Sequence, residues 1–116
     1  MFLKFRVKKA LNRIVEDAGS CKDTLYILCQ GENVDHYFSE IKRKGFDADQ
    51  GAIMIISGMI IRAQETGAIE IMLKEAPDVY LDFQKLWVLC GELIQRDYER
   101  WGSAVIVRPD GKNPFE

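Results

Sequence analysis

At 116 residues and 13.3 kDa, with 47% hydrophobic residues, the chain is sized for a single domain spanning 1–116 with a core of its own. A net charge of −2 supplies no global field that would draw it onto nucleic acid. Its longest nearly pure apolar run, Ala52–Ile61, falls well short of the roughly 20 residues that a membrane-crossing helix needs.

Residues 2–18 carry Leu3, Val7, Ala10, Leu11, Ile14 and Ala18 at three- and four-residue steps, which predicts an amphipathic helix ended by Gly19. Residues 20–45 read in two ways. Ser20 with Asp23 three positions on resembles a helix start, yet Thr24–Cys29 is a short apolar run rich in strand formers, followed by the turn-like Gln30-Gly31-Glu32-Asn33. The favoured division is an apolar segment of open type and then a helix from Val34 to Lys44, capped by Asn33 and ended by Gly45.

Asp47 and Gln50 have the spacing of a reciprocal cap, in which each side chain reaches the other's backbone amide. The helix they open, 50–66, is apolar on nearly all sides and should be central. After Gly67 a short helix over 68–75 is expected, and Pro77 turns the chain. Val79, Phe83, Leu86, Cys90, Leu93, Ile94 and Trp101 then keep helical spacing, ended by Gly102. Residues 103–108 read as a short strand, stopped by Pro109-Asp110-Gly111. The expected fold is mainly α, a compact bundle of four to five helices. Residues 24–29 and 103–108 are candidates for a minor two-stranded β element.

The three cysteines, Cys21, Cys29 and Cys90, form no Cys-x-x-Cys pair, and an odd count points to a reducing compartment. Charges at positions 4, 6, 8 and 9 interrupt any leader-like apolar stretch near the beginning, so the expected location is the cytoplasm.

Chemistry-bearing patterns are few. Were residues 21–44 one helix, Cys29, Glu32 and His36 would share a face as metal-ligand candidates, although a fourth ligand is missing and Gly31 interrupts them. His36 is the only histidine, so a Cys–His nucleophile would need it. No glycine-rich phosphate loop is present, and Gly51, Gly58 and Gly67 fit close helix packing or helix ends instead. The expectation is a protein without catalytic residues, metal or cofactor.

Two surface features remain. Lys4, Arg6, Lys8, Lys9 and Arg13 place five cations and no acid in the first thirteen residues, beside Phe2, Leu3 and Phe5. Such a segment can meet an anionic membrane surface or nucleic-acid phosphates, or pack on the domain with its cations in water. The last helix carries more aromatics than one buried stripe uses: Tyr80, Phe83, Trp87, Tyr98 and Trp101, with Leu81, Val88 and Leu89 off the main face. Tyr80, Trp87, Tyr98 and Trp101, with Val105 and Val107 on an open strand edge, are therefore candidate interface residues. The first-ranked function is a non-catalytic protein–protein interaction or accessory role with a homo-oligomer or a protein partner. Binding to nucleic acid or a membrane surface comes second, and an enzyme or metal site around Cys29, Glu32 and His36 third.

Overall fold

A computed structural model describes residues 2–96 and Phe115. Among them are six helices: α1 (Phe2–Asp17), α2 (Lys22–Cys29), α3 (Gly31–Lys44), α4 (Ala48–Glu65), α5 (Ala68–Glu75) and α6 (Pro77–Arg96). The architecture is organised around α4, in which every residue from 50 to 57 is buried. A helix that is apolar all round needs neighbours on every side. Here α1, α3, α5 and α6 each pack against it, with α2 wedged between α1 and α6. The radius of gyration, 13.3 Å, matches the roughly 13 Å expected of a compact chain of this length.

Local signals set most of the boundaries. Asp47 accepts the Gln50 amide at 2.9 Å while the Gln50 side chain accepts the Asp47 amide at 3.0 Å, the reciprocal cap anticipated from the spacing. Gly45 ends α3 at φ +69°, and its N–H together with that of Phe46 closes the last turn onto Lys42 and Ile41 carbonyls. Inward residues of α1 are Val7, Ala10, Leu11, Ile14 and Val15; those of α6 are Val79, Phe83, Leu86, Cys90 and Ile94.

Three expectations need correction. First, residues 24–29 form a helix, and no strand is present among the described residues, so there are six helices rather than four to five. In a strand Thr24, Tyr26 and Leu28 would share a face. Here Thr24 and Leu28 are fully buried while Tyr26 is 70% exposed, which is the four-residue period of a helix. Second, Ser20 does not cap α2. The capping position is Cys21, and the acceptor comes from α6: Asp82 takes the Cys21 amide at 2.6 Å and the Thr24 hydroxyl at 3.0 Å. Third, α3 begins at Gly31, not Val34. Asn33 is already inside it, and its side-chain amide donates to the Ile27 carbonyl, tying the end of α2 to the start of α3.

The proposed strand 103–108, and the extension of the last helix to Trp101, lie outside the described residues. No single helix among the described residues is long and apolar enough to cross a membrane. The pair α4 and α5 would pass together on composition, but it bends by 92° and α4 is the core helix.

Candidate functional site

On α6, the face opposite the core carries Leu81, Lys85, Val88 and Glu92, at steps of four, three and four residues that hold them in one stripe. All four are exposed. Leu81 at 51% and Val88 at 58% are among the most exposed large apolar side chains of the described residues. The aromatic candidates are placed differently. Trp87 is half-buried against the core, and Tyr80 meets Phe115 edge-to-face at 5.5 Å. Tyr80 and Phe115 border a cleft of about 350 Å³ with Ile69, Leu73 and Gln64. Tyr98, Trp101, Val105 and Val107 lie outside the described residues. The off-face positions thus carry the exposed apolar surface of α6, with Lys85 and Glu92 completing the stripe.

The five basic residues of α1 divide into three groups. Lys4 pairs with Asp35 of α3 and Arg13 with Asp49 of α4, so these two cations tie α1 to its neighbours. Lys8 is half-buried and lies close enough to Cys29 to favour its thiolate. Arg6 and Lys9 are exposed, as are Phe2 (77%) and Phe5 (59%), and Lys9 sits 5.1 Å above the Phe5 ring. Beside the first two turns, Leu3, Arg6, Lys42 and Phe46 line a cleft of about 360 Å³ that joins α1 to the basic end of α3.

Cys29, Glu32 and His36 do not form one set. The backbone leaves helical geometry at Gln30 (φ −56°, ψ 133°), which places Cys29 on α2 and the other two on α3. Among the described residues no three His, Cys, Asp or Glu side chains converge to hold a metal ion. Glu32 and His36 border a cleft of about 440 Å³ with Tyr37, Met59, Arg62 and Thr66. Its wall is a close approach: a β-carbon at Gly58 would stand 2.9 Å from the Tyr37 ring. Partial burial raises the Tyr37 phenol above its ordinary range against the opposing pull of Arg62.

No family model, curated protein or solved structure matches this chain.

Burial pushes the Cys29 thiol up, with Lys8 pulling the other way, and pushes Cys90 up to about 12 against a hydrogen bond with Ser57. Both are thiols held protonated at neutral pH, unlike an activated nucleophile. Asp82 is the buried carboxylate among the described residues, and its oxygens face Cys21, Thr24 and Lys85, where they hold α2 to α6. Among the described residues, large apolar side chains face outward singly at Tyr26, as Ile71 and Leu73 on α5, and beside charges on the stripe of α6 and the aromatic and basic end of α1. The last two, which join apolar and charged groups, are surfaces suited to contact.

Proposed function

We propose that the protein is a non-catalytic interaction protein that associates with a second copy of itself through the outer face of α6. The observation that carries this reading is the stripe Leu81–Lys85–Val88–Glu92, which is complementary to itself. Two such helices running antiparallel about an axis between Val88 and Leu89 bring the two valines together at the centre. Lys85 then stands level with Glu92 of the partner subunit, and the reverse pair follows by symmetry. The apolar residues supply the burial, while the charges, exposed at the rim, set register and orientation more than affinity. A single helix pair is a small interface, so exchange between monomer and dimer is expected. Three unpaired cysteines, one of them buried, support a reducing compartment such as the cytoplasm as the place where this happens.

Sedimentation velocity across a wide concentration range tests the reading. The wild type should show a reversible dimer, Val88→Asp should abolish it, and Glu92→Lys, which leaves the Lys85–Asp82 pair in place, should weaken it. Adding Lys85→Glu to Glu92→Lys should restore association, because the swapped charges again face each other, with circular dichroism checking that the fold withstands loss of the Lys85–Asp82 pair. A wild type that stays monomeric at every concentration, or a dimer that survives Val88→Asp, refutes it.

A further inference from the structure

The outer face of α1 is a second surface, on a different helix, with a different chemistry. Among the described residues the carboxylates ion-pair with Lys4, Arg13, Arg43 and Lys85, and not with Arg6, Lys9, Lys42 or Lys44. Arg6 and Lys42 line one cleft with Asp47, where the first two turns of α1 adjoin the last turn of α3; Lys44 stands in that same last turn within reach of the Glu40 charge, and Lys9 lies on the exposed face of α1 over Phe5. On the same two turns of α1 as Arg6 and Lys9 stand two phenylalanines, Phe2 and Phe5, at 77% and 59% exposure. Water is a poor environment for a phenyl ring, and two of them in the outward stripe of one helix add nothing to the core behind it.

We infer that this end of the molecule docks on an anionic lipid membrane, with Phe2 and Phe5 entering the headgroup–acyl boundary and Arg6, Lys9, Lys42 and Lys44 facing the lipid charge. An amphipathic surface helix with aromatics and cations together, short of the length needed to span, has the composition of an interfacial anchor. The cations alone would serve nucleic-acid phosphates equally well. The exposed rings decide between the two, because the acyl boundary removes them from water and a phosphate backbone does not. The rest of the chain carries the net negative charge, which favours turning these cations toward an anionic surface. Each such cation multiplies partitioning by roughly fivefold near an anionic bilayer.

Vesicle co-sedimentation of the full chain tests this. Vesicles of phosphatidylcholine mixed with phosphatidylserine should bind the protein, and vesicles of phosphatidylcholine alone should bind it at least about tenfold less. Lys9→Glu should weaken binding by well over the roughly fivefold of one lost cation, since it also introduces a repelling charge. Phe5→Ser should weaken it on the order of tenfold at unchanged charge. Far-UV circular dichroism of both variants should match the wild type, because both positions are exposed. Absence of binding to the phosphatidylserine vesicles overturns the inference. So does equal binding to neutral vesicles, or a Phe5→Ser variant that binds as the wild type does, or retention of duplex DNA or RNA in preference to the vesicles.

Discussion

Replacing Asp82 is the most informative single perturbation of the fold. Its carboxylate is 8% exposed and serves a helix other than its own, accepting the Cys21 amide at 2.6 Å and the Thr24 hydroxyl at 3.0 Å, with the Lys85 ammonium 3.9 Å away. Asp82→Ala removes the cap of α2, worth about 1 kcal/mol. It also leaves the Thr24 hydroxyl, on a residue with no exposed surface, without its acceptor, a penalty of about 1–3 kcal/mol. The loss should total about 2–4 kcal/mol, and Asp82→Asn, which keeps an acceptor oxygen but not the charge, about half as much.

The pH dependence gives the sharper test. Burial pushes the Asp82 carboxyl up, but the Cys21 amide and thiol, the Thr24 hydroxyl and the Lys85 charge together outweigh it, and the net pKa is lowered. A carboxyl whose folded-state pKa lies below its unfolded value contributes stability that is fully present above the unfolded pKa, about 3.9. That contribution is lost as pH falls through the folded-state pKa. Urea unfolding followed by circular dichroism at pH 7, 5 and 3 should therefore show wild type and Asp82→Asn well separated at the first two values and converging at the third. A gap that does not narrow in acid refutes the assigned role of the charge. An Asp82→Ala variant within about 0.5 kcal/mol of wild type, the range of ordinary surface changes, refutes the capping argument itself.

Two further outcomes follow from the packing of α4. Gly58→Ala should destabilise by about 1 kcal/mol despite the better helix propensity of alanine, because its β-carbon meets the Tyr37 ring at 2.9 Å; in a Tyr37→Ala background the same change should become stabilising, as a double-mutant cycle by urea unfolding will show. Cys90, 2% exposed with its thiol pushed up to about 12, should resist alkylation in the native protein at pH 8 and react once urea is added, whereas modification of native Cys90 at the rate of half-exposed Cys21, followed by peptide mass spectrometry, would contradict its burial.

How far the sequence showed this depends on where each signal resides. The cap at Asp47 and Gln50 is local, with both partners within four residues, and it was legible as written. The buried character of α4 was legible because no polar face interrupts residues 50–57, and the inward stripes of α1 and α6 because their period is unbroken. The type of residues 24–29 was not. Eight residues with mixed propensity are decided by tertiary partners, and the partner that decides α2 is a carboxylate some sixty positions away. Asn33 misled for a related reason: a good capping side chain was used to bridge from one helix to the preceding one. Surface features were legible as composition and illegible as geometry. Five cations in α1 read as one group, yet folding ties Lys4 and Arg13 to Asp35 and Asp49, and Lys42, thirty-six residues on, lines a cleft with Arg6.

This division within each helix also makes the two proposed contacts separable from the fold. On α6, Val79, Phe83, Leu86, Cys90 and Ile94 hold the core and Asp82 holds α2, while Leu81, Val88 and Glu92 point away from both and the exposed Lys85 reaches back to Asp82 at 3.9 Å. On α1, Val7, Leu11 and Ile14 are buried while Phe2, Phe5, Arg6 and Lys9 are outside. Exposed helix positions change stability by about 0.5 kcal/mol or less when substituted, whereas a contact built on them loses its anchor. Val88→Asp should therefore report on self-association with helicity intact, and Phe5→Ser on membrane docking with the dimer intact. If Val88→Asp instead unfolds the chain, the outward stripe is part of the core and the interface reading fails. If Phe5→Ser disrupts the dimer, the two surfaces are one, and the membrane inference loses the independent face on which it rests.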